Sequence, residues 1–190
     1  MIVLKHNGLV YIAVSQCFHR SSEAVRNGKP NAEDLKAYHP KRRKNQLIAT
    51  NGISFITEPL RYEDIFPKEL NMKSLVLDLF PNLCEMNKFF GQGDGFLSTV
   101  DMVFAQDSDA FVLYRDGTCL EIEDIFACGF NSDTAIALYD SEKIEDPNDF
   151  FKKAFTVQEE LYGSIMFPIA VLNTGSNKIS VINTQRGTRR

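Results

Sequence analysis

The pair Asn7-Gly8 stands between two apolar runs, Ile2-Val3-Leu4 and Leu9-Val10-Tyr11-Ile12-Ala13-Val14. A tight hairpin turn of the hand that suits twisted strands needs positive φ at both central residues, and Asn-Gly meets that need better than most pairs. The sequence therefore predicts a β-hairpin over residues 1–15 that begins at Met1 and draws it toward a core. Termini usually fray, so an end tied into a sheet is expected to have a structural or chemical use.

A chain of 190 residues, 44% of them hydrophobic, can bury a full core. We expect one domain over residues 1–184 and a short basic tail over 185–190. The net charge of −4 exerts no global pull toward nucleic acid or anionic lipid. No apolar run approaches bilayer-spanning length and the first residues lack the pattern of a secretion signal, so the expected location is the cytoplasm, with no membrane partner. Cys17, Cys84, Cys119 and Cys128 form no Cys-x-x-Cys pair. Cys17 and His19 lack a second ligand pair, so neither a metal nor another cofactor is expected.

A polar stretch from Gln16 closes on the basic run Lys41-Arg42-Arg43-Lys44. The run is read as a solvated loop end. A nucleic-acid patch is the alternative, disfavoured because no aromatic platform is interleaved with the charges. A second Asn-Gly pair, Asn51-Gly52, predicts a hairpin of residues 46–49 with 53–56. Leu75, Leu79, Leu83, Met86 and Phe90 then recur at helical spacing, with Pro81 expected to open a second helical piece or kink a single long one. Gly91-Gln92-Gly93-Asp94-Gly95 follows a helix instead of a strand, so it is read as a helix stop and connector and not as a phosphate loop.

Three strands are expected over residues 99–105, 111–115 and 119–122. In the last, Leu120 and Ile122 should be buried while Glu121 and Glu123 face solvent, which argues against a paired-carboxylate site there. Residues 126–131 are read as the lead into a small-residue helix from Ser132 or Asp133. Asp146-Pro147-Asn148-Asp149 opens another, with Phe150, Ala154, Val157 and Leu161 as its core stripe and Gly163 as its stop. Two closing strands, 167–172 and 179–182, flank a turn at Thr174-Gly175-Ser176-Asn177.

Strand pairs and helix pairs in this order define an α+β chain. The order resembles the four-layer αββα sandwich, with antiparallel sheets, of the N-terminal-nucleophile (Ntn) hydrolases, and among them the proteasome β subunit and its bacterial two-component-protease relative. The opening hairpin, the strand and turn Phe111-Val112-Leu113-Tyr114-Arg115-Asp116-Gly117, and the helix entry Ala127-Cys128-Gly129-Phe130-Asn131-Ser132-Asp133-Thr134-Ala135 are similar to that family's elements. The resemblance implies an N-terminal Thr, Ser or Cys whose own α-amine serves as base, since an α-amine titrates near ~8. Aligning Asn7-Gly8 with the family's turn puts the nucleophile position ahead of Met1. The family's supporting aspartate falls on Ser15, the serine of its glycine turn on Phe130, and its later aspartate and serine near Glu160 and Gly163. Only its lysine finds a counterpart, Lys44. The resemblance thus implies a catalytically silent, proteasome-like assembly or interaction module, forming a homo-oligomer or docking a protein partner, with the phenylalanine-rich stretches 79–90 and 150–155 as candidate apolar surface, although at least half of these phenylalanines are expected to be plain core. The alternative is an amidase or peptidase of the same fold with a non-standard nucleophile, for which Ser15 and Cys17 are the candidates.

Overall fold

In the computed structural model Asn7 and Gly8 adopt φ of 50° and 75°, so the first Asn-Gly pair makes the turn its chemistry dictates. The structure describes residues 1–15, 41–43, 45–50, 66–89, 102–114, 116–129, 132–162, 166–176 and 178–183. The turn joins β1 (Ile2–His6) to β2 (Leu9–Ser15) in the register Ile2↔Ala13 to His6↔Leu9. Strand alternation sends Ile2, Leu4 and Ala13 to one face and Val3, Val10, Ile12 and Val14 to the other, and both faces are buried. A hairpin apolar on both faces has to lie in the middle of its sheet.

It does. β1 pairs on its far side with β8 (Ile125–Ala127), and β2 pairs with β9 (Ile169–Asn173), which pairs in turn with β10 (Ser180–Ile182). The order is β10-β9-β2-β1-β8. The second sheet runs β3 (Lys41–Arg43), β4 (Gln46–Thr50), β5 (Met102–Gln106), β6 (Asp109–Leu113) and β7 (Cys119–Glu121), and every neighbour in both sheets is antiparallel.

Helix α1 has three consecutive pieces: Met72–Ser74, a π-helical Leu75–Leu79, and Phe80–Phe89. Asn71 opens it with a capping box, its Oδ1 accepting from the Ser74 amide at 2.9 Å. In the π turn the Phe80 amide donates to the Leu75 carbonyl, one residue further back than in an α-helix. Pro81 explains the position, because the wider turn gives its ring room against the preceding carbonyls. Asn82 Nδ2 donates to the Asp78 carbonyl at 2.8 Å. The proline thus joins two helical pieces into one continuous helix. Helices α2 (Ser132–Ser141) and α3 (Pro147–Tyr162) follow the second sheet, and α3 is capped by Asp146, whose Oδ1 accepts from the Asn148 amide at 2.7 Å.

Three clusters fill the spaces between layers. Leu47, Ala49, Val103, Ala105 and Val112 meet Val3, Val10 and Ile12 between the sheets. Phe150, Phe151, Ala154 and Phe155 of α3 and Ala135 of α2 cover the outer face of the first sheet over Ile2, Leu4 and Ile169. Leu75, Leu79 and Leu83 of α1, with Phe66 and Leu70, cover the outer face of the second over Ile48, Phe104 and Phe111. The result is a four-layer αββα sandwich. At one end Thr174 Oγ1 ties the two sheets, accepting from the Val10 amide at 3.1 Å and donating to the Asp107 carbonyl at 2.6 Å.

Several expectations need correction. Residues 41–43 are a paired strand, because Lys41, Arg42 and Arg43 sit in register with Ile48, Leu47 and Gln46. Phe126 and Ala127, read as the start of a helix lead over 126–131, belong with Ile125 to the short strand β8 against β1. Leu120 is 51% exposed, since β7 is the outermost described strand of its sheet and its inner side lies at the rim; Ile122, just past the strand, is buried. In α3 the buried stripe is Phe150, Phe151, Ala154, Phe155 and Gln158, whereas Leu161 is 63% exposed. Phe150, Phe151 and Phe155 are therefore core, as is Leu79, and offer no docking surface. The expected hairpin of 46–49 with 53–56 does not form, because β4 is paired on its two edges with β3 and β5; residues 53–56, the glycine cluster at 91–95, Gly163 and the tail at 185–190 lie outside the described residues.

Candidate functional site

Met1 stands just ahead of β1 at the start of the first sheet, and its backbone is bonded to Cys128. The α-amine donates to the Cys128 carbonyl at 3.0 Å, and the Cys128 amide returns a bond to the Met1 carbonyl at 3.0 Å. The two residues thus extend the β1·β8 ladder one pair beyond Ile2↔Ala127. Alternation puts their side chains on the inner face, the same side as Val3 and Phe126, and Met1 packs into the inter-sheet cluster. Gly129 follows with φ 95°, a left-handed turn that carries the chain out of the sheet toward α2.

Burial lowers the pKa of the Met1 amine below that of an ordinary α-amine, while attraction to the Cys128 thiolate works in the other direction. The native state then binds fewer protons than the unfolded chain between the lowered value and the unfolded one near ~8, so stability must rise with pH across that interval. Urea unfolding midpoints are expected to increase as pH is raised through this window. Acetylation of the amine should flatten the slope; the same slope in acetylated and free chains would mean that other groups cause it.

Ser15 closes β2 at the same end of the sheet, opposite Ile169. It lies two residues beyond Ala13 and so faces the outer, helical side, where its Oγ donates to the Met166 carbonyl at 2.7 Å. Glu159 of α3 accepts from the Met166 and Phe167 amides at 2.6 and 3.3 Å, which fixes the segment Ser15 touches. The Ser15 hydroxyl and the Met1 side chain therefore stand on opposite faces of one sheet, with the Met1 amine bonded in its plane. Cys17 and Lys44, the other sequence candidates, lie outside the described residues. Cys128 went unread in the sequence as a neighbour of Met1, since only the β1·β8 pairing puts it there. Cys119, half-buried beside the α1 layer, has its thiol pushed by burial up to about 11, which leaves it almost wholly protonated at neutral pH.

Among the described residues no group of three or more His, Cys, Asp or Glu side chains is placed to hold a metal ion, and no helix is long and apolar enough to cross a membrane.

No family model matches the sequence, and no curated protein matches it by sequence. Solved structures do match by shape. Thiobacillus denitrificans BPH in complex with epoxomicin superposes with a TM-score of 0.62 at 18% identity, over 90% of this chain and 96% of that one. Anbu from Yersinia bercovieri, described as an ancestral β-subunit, gives 0.62 at 13% identity over 97% and 87%. HslV from Trypanosoma brucei gives 0.56 at 12% identity over 90% and 97%. Near-complete coverage in both directions, together with the layer order and the central N-terminal hairpin, gives this chain the four-layer fold of the Ntn hydrolases in its proteasome-like form.

Proposed function

We propose that the chain is a non-catalytic, proteasome-like subunit that acts by assembling with other copies of itself or with a protein partner. The observation that supports this reading is the bonding at the start of the first sheet, where the Met1 amine and carbonyl are both tied to Cys128 in a sheet ladder. A hydrolase of this fold needs an activated hydroxyl or thiol at a base. Ser15, the described candidate, instead gives its proton to a main-chain carbonyl on the other face of the sheet.

Broad serine- and cysteine-directed probes test the reading on the native full chain. No residue is expected to label saturably in the folded protein. Saturable labelling of Ser15, Cys17 or Cys128 that is lost on unfolding and on substitution of that residue would establish the hydrolase alternative.

A further inference from the structure

The turn at the centre of the first sheet is also its most reactive dipeptide. Asn7 and Gly8 are both exposed, and the β1·β2 register ends at His6↔Leu9, so the Gly8 amide lies outside the ladder. A Cβ on Gly8 would meet nothing within 4 Å, and with no side chain there the nitrogen is unshielded. Such a nitrogen can attack the carboxamide that precedes it. A bond forms from the Gly8 nitrogen to Asn7 Cγ, the Cγ–Nδ2 bond breaks, and Nδ2 leaves as ammonia, taking the proton that the Gly8 amide gives up. Water then opens the succinimide at one of its two ring carbonyls and leaves aspartate or isoaspartate at position 7.

The folded turn opposes the first step. With φ of 50° and 75° the pair forms a turn of the I′ class, in which the ψ of Asn7 is about +30°. The Gly8 nitrogen then lies across the Cα–C bond from the Asn7 Cβ, out of reach of Cγ, and attack needs that bond to rotate by more than a right angle into a near-attack arrangement. Asn7 Nδ2 also donates to His6 Nε2 at 3.0 Å, which holds the carboxamide toward β1.

Both limbs of the turn are braced by other segments. On the β1 side the Lys5 amide donates to the Asp124 carbonyl at 2.7 Å. On the β2 side the Val10 amide donates to Thr174 Oγ1 at 3.1 Å, the Thr174 amide donates to the Val10 carbonyl at 3.0 Å, and Thr174 Oγ1 donates onward to the Asp107 carbonyl at 2.6 Å. Leu9 lies close over Gly175, where an added Cβ would stand 3.1 Å from its side chain. Rotation at Asn7 therefore requires the end of the hairpin to come away from β9 and from the second sheet.

We propose that Asn7 is a modification site gated by the fold: it stays an asparagine while the hairpin end is closed and converts to aspartate or isoaspartate when that end opens, at a rate governed by the Thr174 brace. Isoaspartate adds a main-chain carbon to a two-residue turn, so a chain that converts in that way does not regain the His6↔Leu9 register.

Peptide mapping by mass spectrometry tests this on the full chain, incubated at mildly alkaline pH in buffer and in denaturing urea, by following the change from amide to acid at position 7. In urea Asn7 should convert, as should Asn51, the other asparagine before a glycine. Folded, Asn7 should convert at least about tenfold more slowly than in urea, because only the opened fraction reacts. Thr174→Val should speed the folded-state reaction at least about threefold and leave the rate in urea unchanged, whereas Thr174→Ser, which keeps the hydroxyl, should stay as slow as the parent. Equal Asn7 rates in the folded and denatured parent would overturn the gate. Conversion of Asn51 in urea without conversion of Asn7 would overturn the site. A folded Thr174→Val chain with the parent's rate would overturn the brace, and should that variant fail to fold, the ratio of folded to denatured rates in the parent still decides the gate.

Discussion

Replacing Phe151 by alanine is expected to destabilise the chain by about 3–5 kcal/mol, the cost of deleting a fully buried aromatic ring and leaving a partly collapsed cavity. Phe151 is 0% exposed, lies in the cluster that covers Ile2, Leu4 and Ile169, and packs its ring 5.8 Å from that of Phe150. Because small domains are stable by only about 5–15 kcal/mol, such a loss takes a large share of the total. The same helix provides the control. Leu161 is 63% exposed, so Leu161→Ala should stay within about 0.5 kcal/mol of the parent. Urea unfolding with unchanged slope measures both; equal losses at the two positions would refute the assignment of the buried face of α3. Since Ile2 shares the cluster with Phe151, the weakened variant should also show faster hydrogen exchange at the β1 amides.

Gly117→Ala is expected to cost about 2–5 kcal/mol, from two sources that can be separated. The residue sits at φ 87°, where an L side chain loses roughly 1–2 kcal/mol. A Cβ there would also stand 2.9 Å from the Phe80 ring, which packs against the cluster beneath α1, and displacing a packed ring costs about 1–3 kcal/mol. Phe80→Leu in the Gly117→Ala background should recover the second part and not the first. Strict additivity of the two changes in a double-mutant cycle would show that the ring contact does not exist.

Local chemistry accounts for what could be read in the sequence. The first hairpin was legible because Asn7 and Gly8 decide their own backbone geometry, and the start of α3 because Asp146 and Pro147 are a cap and a first-turn residue whatever surrounds them. β8 was not, because three half-buried residues become a strand only when β1 offers them an edge. The buried face of α3 was misjudged by one step for a similar reason: Val157 and Leu161 fit a helical stripe as well as Phe151 and Phe155 do, and only the sheet beneath selects between them. At the candidate site the sequence identified Met1 and Ser15. It did not show that they face opposite sides of the sheet, nor that Cys128 closes the ladder against Met1, because both facts depend on pairing between distant segments.

The π turn of α1 has a consequence for how this helix tolerates change in length. It inserts one residue beyond the α-helical count, and one residue is about 100° of rotation. Everything before Leu75, including the Asn71 cap and the exposed Met72, is therefore phased against Leu79 and Leu83 by that extra residue. A deletion at Val76 or Leu77 would restore ordinary helical hydrogen bonding and at the same time swing the capped end away from the second sheet. The wide turn acts as a phase shifter: it lets a proline sit mid-helix while the leucines on either side of it still point at the same wall.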